Sequence, residues 1–196
     1  MQHPPCSIDR IAELLVHIGR ASRADTGQAD LTGAQWACLR FFARANPSTR
    51  TPSAFAGFQA TTRGTASQII KSLEKRGLLA RFKSATDGRS VRFDLTKQGD
   101  AVLCNDPLGD LNGLLARLER SEREAFLATL SRLSTSLAEL KNIPAFGTCA
   151  DCSHFTPSGD HGFCGCMAAA LGAGDINKLC ASFRGQHSQG QTHDTD

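Results

Sequence analysis

The stretch from Thr62 to Thr96 leaves few folds open. Ala66, Ile69, Ile70 and Leu73 recur at i, i+3, i+4 and i+7, the spacing of one helical face. Gly77 follows as a residue that can end the helix in the left-handed conformation. Two short strand-like runs come next, Leu78 to Ser84 and Ser90 to Leu95, with Thr86-Asp87-Gly88-Arg89 as turn chemistry between them. A helix, a glycine stop and a tight hairpin in one uninterrupted run predict a small helix-plus-hairpin lobe.

Helical patterns surround this run. Residues 7 to 20 carry Ile8, Ile11, Leu14, Leu15 and Ile18 at helical spacing, with Ser7 as a candidate cap. Thr32 and Gln35 form a capping box before Trp36, Leu39, Phe42 and Ala43, and Asn46-Pro47 stops that helix. Pro52 suits the first position of a short helix bearing Phe55 and Phe58. Thr96 caps a further helix, and the pattern continues to Lys141, broken around Asn105-Asp106-Pro107 and Gly109. A second capping box at Ser121 and Glu124 is expected to open the last helix, with Phe126, Leu127, Leu130, Leu133, Leu137 and Leu140. The leucine content of these helices exceeds what the small lobe can cover, so a second copy of the chain is expected to cover it. The fold class is therefore mainly α with a small β-hairpin wing.

Charge singles out the same region. Residues 62 to 97 hold nine basic and three acidic side chains, while residues 149 to 196 hold two basic and five acidic ones. The whole chain, at +3, conceals this asymmetry. A basic patch on a near-neutral body points to a polyanion. The helix face opposite Ala66 and Ile70 presents Gly64, Ser67, Gln68, Lys71 and Lys75. Small residues permit close approach to a groove, Gln68 suits adenine edges, and Lys71 suits guanine or phosphate. Thr61, Thr62, Arg63 and Thr65 lie around the helix start, where hydroxyls and unpaired N–H groups hold phosphate. Arg89, at the hairpin tip, is placed to enter a minor groove. This is the layout of a winged helix-turn-helix, and double-stranded DNA is its expected partner.

Three segments, LTGAQWACLRFFARA, TTRGTASQIIKSLEKRGLLAR and DGRSVRFDLTKQG, resemble the MarR family of bacterial transcription regulators over roughly residues 8 to 141. The wing ends in the family's L-T-x-x-G as Leu95, Thr96 and Gly99. Where the family's wing often reads D-x-R-R, this chain has Asp87-Gly88-Arg89-Ser90 and lacks one arginine. The resemblance implies a homodimer built from the first and last helices, a pseudo-palindromic operator and a repressor released by a small effector.

The tail is a different kind of sequence. Five of the eight cysteines (Cys149, Cys152, Cys164, Cys166 and Cys180) fall within 32 residues. No apolar run is long enough to span a membrane and the first ten residues lack an apolar signal segment, so a cytoplasmic, thiol-reducing setting is expected. Such a cluster then reads as a metal site before a disulfide framework. A C-x2-C pair grips metal from one turn, and Cys164 and Cys180 follow singly. Structural zinc more often uses two C-x2-C knuckles, whereas one pair plus two single cysteines suits a 4Fe–4S cluster. CADCSHF, GFC and LCASF resemble the cysteine segments of high-potential iron–sulfur proteins over about 35 residues. Cys166 is the alternate third ligand. Zinc, with His154 and His161 as further candidates, and disulfides or free thiols remain alternatives; with a structural zinc site the chain would instead be a regulator answering a small-molecule ligand. Phe155, Phe163, Leu179 and Phe183 are expected to exclude water from the site.

These readings divide the chain into a winged-helix and dimerisation part at 1–143, a cysteine-rich part at 144–185 and a polar, disordered tail at 186–196. Cys38 is expected in the core, and His17 as a packed or interface residue. No paired nucleophile and base and no phosphate-binding glycine loop accompany them, so enzymatic or purely electron-transferring roles rank below a DNA-binding regulator that senses redox state, oxygen or iron. Because the tail is joined at Pro144 to the last helix, it is expected to act on the spacing of the two recognition helices of a dimer.

Overall fold

Capping decides where most helices begin. The computed structural model describes residues 6–22, 30–83 and 91–185. Helix α1 spans Ser7–Ala21, α2 Gly33–Arg44, α3 Pro52–Phe58 and α4 Arg63–Lys75. Thr32 and Gln35 make the expected reciprocal box on α2: the Gln35 N–H donates to Thr32 Oγ1 at 3.3 Å and the Thr32 N–H to Gln35 Oε1 at 2.8 Å. Thr51 caps α3 and Thr62 caps α4. On α1 the cap is Cys6 rather than Ser7, with Asp9 returning to the Cys6 N–H at 3.3 Å.

Strands β1 (Leu79–Lys83) and β2 (Val91–Leu95) pair antiparallel, Leu79 opposite Leu95 and Lys83 opposite Val91. Gly77 takes φ 72° between α4 and β1, the left-handed end anticipated for it. Helix α5 (Lys97–Leu103) starts at Thr96, α6 spans Leu108–Ala116 and α7 Arg120–Leu140. Two details differ from expectation. Gly109 lies inside α6, because Pro107 has already made the break. The Ser121–Glu124 box does not form; α7 starts at Arg120, and Arg120 pairs with Glu124 one turn on at 2.7 Å.

The core gathers where α2, α3, α4 and β2 meet. Phe41, Phe42, Phe55, Leu39, Ile70, Leu73 and Leu79 are fully buried there. Phe41 meets Phe42 edge-on with centroids 5.3 Å apart, and Phe42 lies 6.0 Å from Phe93 of β2. Aromatic pairs of this kind add about 0.5–1.5 kcal/mol each to the burial itself. Cys38 lies in this core as expected, and burial holds its thiol far above the ordinary range.

Helices α1 and α7 stand apart from that core. Ile8, Ile11, Leu14, Leu15, Val16 and Ile18 are exposed on α1, as are Leu127, Leu133, Leu137 and Leu140 on α7. No helix among the described residues is long and apolar enough to cross a membrane.

Beyond α7 the chain folds into a small unit. A 3-10 turn (Cys149–Asp151) precedes a three-stranded antiparallel sheet, β3 (Phe155–Ser158), β4 (His161–Cys164) and β5 (Ala169–Leu171), and a short helix α8 (Ala173–Ile176). The sequence reading held no sheet here, because strands of three or four residues are too short to show alternation.

Candidate nucleic-acid interface and cysteine centre

Helix α4 is anchored by one face and open on the other. Ala66, Ile70 and Leu73 are buried against α2 and α3, and Ile69 is half-buried. Arg63, Gly64, Thr65, Gln68, Lys71 and Lys75 are exposed, and Ser67 is half-buried at the edge of the same face. Thr62 Oγ1 accepts the Thr65 N–H at 3.2 Å and lies 2.9 Å from Thr65 Oγ1. The first turn therefore offers hydroxyls and backbone N–H groups together with the Arg63 charge, a combination that binds phosphate. Eight of the nine residues assigned to DNA from sequence thus share one solvent-facing edge. The ninth, Arg89, lies outside the described residues. Arg81, exposed on β1, adds a cation that the sequence reading counted in the basic patch but did not assign to the interface.

The wing is fastened to the lobe at its base. The Arg50 carbonyl accepts the Phe93 N–H at 3.0 Å, and the Arg50 guanidinium pairs with Asp94. Arg50 Nε also donates to the Ala45 carbonyl at 2.9 Å.

The tail brings four cysteines to one buried centre. Cys149 and Cys152 flank the 3-10 turn, with the Cys152 N–H donating to the Cys149 carbonyl at 3.1 Å. Cys164 ends β4, opposite Phe155 on one side and Ala169 on the other. The Cys180 N–H donates to the Gly147 carbonyl at 3.0 Å. All four are 5–7% exposed, whereas Cys166 lies exposed in the turn after β4. The strand pattern separates the two: Gly162 and Cys164 face inward and His161 and Phe163 outward. Burial pushes the Cys149 thiol up to about 11, and the neighbouring Cys180, Cys152, Cys164 and Asp175 push the same way. Each of those cysteines thus lies close enough to Cys149 to act on its charge.

Of the described residues from 144 to 185, only these four cysteines and Gly162 are buried. A unit of this size ordinarily needs an apolar centre; here thiols occupy it. A cavity of about 250 Å³ opens beside them, lined by Cys149, Cys164 and Cys180, by Met167, Leu171 and Asp175, and by Asn46, Pro47, Ser48 and Arg92 of the winged lobe. None of the eight cysteines is in a disulfide. Among the described residues, no three His, Cys, Asp or Glu side chains form a set that holds a single metal ion. A tetrahedral zinc bound at 2.3 Å would hold its sulfurs about 3.8 Å apart.

Two sequence expectations need correction here. Phe163 is 48% exposed and shields nothing, since it occupies an outward position on β4. Leu179 packs against the winged-lobe core. Phe155 and Phe183 are half-buried, their rings close over Gly162 and Gly147 respectively. His161 is exposed and pairs with Asp160. His154 is half-buried, and its carbonyl accepts the Gly165 N–H at 2.8 Å. Arg92 is not legible in the sequence as part of this site, since its place beside the cavity depends on how the tail folds back.

Known proteins share the helical part of this architecture. Residues 29–90 match the model of the MarR family. The structure of S. aureus MepR in its DNA-binding conformation aligns at 21% identity with a TM-score of 0.55, over 67% of this chain and 98% of that one. The S. aureus MepR–DNA complex aligns at 23% identity and a TM-score of 0.52, over 68% and 99%. The transcriptional regulator SlyA aligns at 19% identity and a TM-score of 0.52, over 69% and 96%. No curated protein matches the sequence. A helix with an open polar edge on an aromatic core, a two-stranded wing behind it and these structural likenesses together give this chain a winged-helix fold, and its residues 29–90 are similar to the MarR family model.

Proposed function

We propose that the chain is a DNA-binding transcription regulator, acting as a homodimer on a pseudo-palindromic operator, with a 4Fe–4S cluster on Cys149, Cys152, Cys164 and Cys180. The DNA-binding part rests on α4. Its outward edge carries Arg63, Thr65, Gln68, Lys71 and Lys75 and no large apolar side chain, the make-up of a helix that reads a major groove. Thr62, Arg63 and Thr65 hold phosphate and set the register, while Gln68 and Lys71 reach base edges. Similarity to a DNA complex of MepR supports this orientation of the lobe. Repression is the direction of control that the family resemblance implies.

The donor chemistry of the tail supports the cluster. Four buried thiols with no apolar core around them suit a group bound by thiolates alone. One C-x2-C pair followed by two single cysteines is the spacing that favours a cluster over structural zinc, which more often uses two C-x2-C knuckles. When bound, the cluster would supply one-electron redox chemistry and sensitivity to oxidants. The chain's own part is to hold four ligands on three backbone segments and to keep Cys166 outside.

Anaerobic purification of the full chain followed by iron, sulfide and zinc analysis tests the cofactor; zinc without iron and sulfide would overturn the cluster. DNA binding is tested by fluorescence anisotropy with an operator selected from random duplexes. Lys71→Ala is expected to weaken binding by about 1–3 kcal/mol if it contacts a base edge. Affinity unchanged in the Lys71→Ala, Gln68→Ala double variant would remove α4 from the interface.

A further inference from the structure

We infer that the cysteine unit reports its state to DNA through the winged lobe of its own subunit, by clasping the turn between α2 and α3. The inference rests on the proposed ligation of Cys180. Three consecutive residues make the clasp. The Leu179 N–H donates to the Arg44 carbonyl at 2.8 Å, and the Leu179 carbonyl accepts the Asn46 N–H at 2.9 Å. The Leu179 side chain packs against the core of the winged lobe. Cys180 turns back toward the other thiols, its N–H on Gly147. The Ala181 N–H then donates to Thr49 Oγ1 at 2.8 Å. Thr49 is 1% exposed and is the one buried polar side chain among the described residues. A ligand thus sits between two residues that are bonded to the lobe.

The clasped turn leads directly to the wing. Arg50, next to Thr49, binds the Ala45 carbonyl, the Phe93 N–H and the Asp94 carboxylate at once. Arg92, on the same strand, lines the cavity beside Cys149, Cys164 and Cys180. Strand β2 is therefore tied to the clasped turn through Arg50 and reaches the cysteine centre through the Arg92 side chain. Ligation of Cys180 fixes residues 179–181 and so fixes the base of the wing. When that ligation is lost, the wing base is left to its hydrogen bonds with an untethered segment. This route differs from the one the sequence suggested, through the last helix to the spacing of a dimer. Against α7 the unit makes the approach of Gly185 to Thr135.

Hydrogen–deuterium exchange on the full chain, loaded anaerobically, separates the routes. Cys180→Ser, and separately removal of iron from the wild type with a chelator, are expected to speed exchange about tenfold at 44–51 and 91–95 and to leave 120–132 unchanged. Thr49→Val is expected to keep iron and sulfide at wild-type content while loaded and stripped protein bind operator DNA alike; Thr49→Ser keeps the hydroxyl and restores the difference. Iron-loaded protein whose exchange at 44–51 and 91–95 is indifferent to Cys180→Ser, or responds in α7 alone, overturns this inference and leaves the cluster standing. Wild-type protein without iron and sulfide overturns both.

Discussion

Gly99 shows why one residue of a short motif resists replacement. A Cβ built there would lie 2.2 Å from the Leu78 carbonyl oxygen, a backbone atom that cannot step aside. The Gly99 N–H also takes the Thr96 cap at 3.0 Å, and Thr96 Oγ1 itself donates to the Gly77 carbonyl at 2.6 Å. The L-T-x-x-G string is thus a joint between α4, β1 and α5. Gly99→Ala is expected to lower stability by about 1–3 kcal/mol in urea unfolding, the usual cost of overpacking. Cys38 gives the pH prediction. Burial raises its thiol pKa in the folded state, while in the unfolded chain a thiol titrates near about 8.5. The unfolded state therefore releases its proton first as pH rises. The stability that protonated Cys38 contributes is complete below about 8.5 and declines above it. Urea midpoints at about pH 7 and about pH 9.5 are expected to fall less in Cys38→Ala than in the wild type. The threonine caps and the core positions were readable because capping chemistry and apolar spacing are both local to a helix. Arg50, Thr49 and Arg92 were not, because their roles depend on partners dozens of positions away.

At the scale of elements, α1 and α7 expose leucine and isoleucine faces that an isolated subunit has no means to cover. Amphipathic helices with the apolar side outward mark an interface when the faces are this extended. The double variant Leu133→Glu, Leu137→Glu is expected to give monomers by light scattering at micromolar concentration, with DNA affinity lost alongside. Dimers of unchanged stability would place the interface elsewhere. Periodicity made these helices legible, and their ends were legible wherever a threonine capped them. Ser121 misled because the preceding residue already had helical geometry; a capping box is only a box when its first residue is extended. The strands of the tail carry no such signal. Register between β3, β4 and β5 is set by a centre that draws Gly162 and Cys164 inward.

The whole molecule joins two kinds of core. The winged lobe has an apolar one of phenylalanines and leucines, and the tail has a thiol one. Their stabilities should respond to different agents. Chelation and thiol oxidation are expected to unfold the tail while leaving the helical lobe's circular dichroism within a small fraction of its native value, because burial in the lobe is independent of metal. Loss of the full helical signal on chelation would show that the lobe cannot stand without the tail. The sequence made both cores visible, one through apolar residues at helical spacing and the other through the clustering and spacing of its cysteines. Their contact was hidden, since it is built from backbone hydrogen bonds at 44–49 and 179–181 that any residue types could make.

The alternation of bonds along Leu179, Cys180 and Ala181 also dictates where this chain can change length. The turn between β3 and β4 is exposed, with Gly159 at φ 63° and open space around it. Insertions there would extend a loop and move neither a buried cysteine nor a lobe contact. One residue added between 179 and 181 would turn the segment, exchanging a residue that faces the other thiols with one that bonds to the winged lobe. Added length before Cys164 is therefore expected to leave both the thiol centre and the lobe contact in place, while one residue added at 179–181 is expected to break one of them.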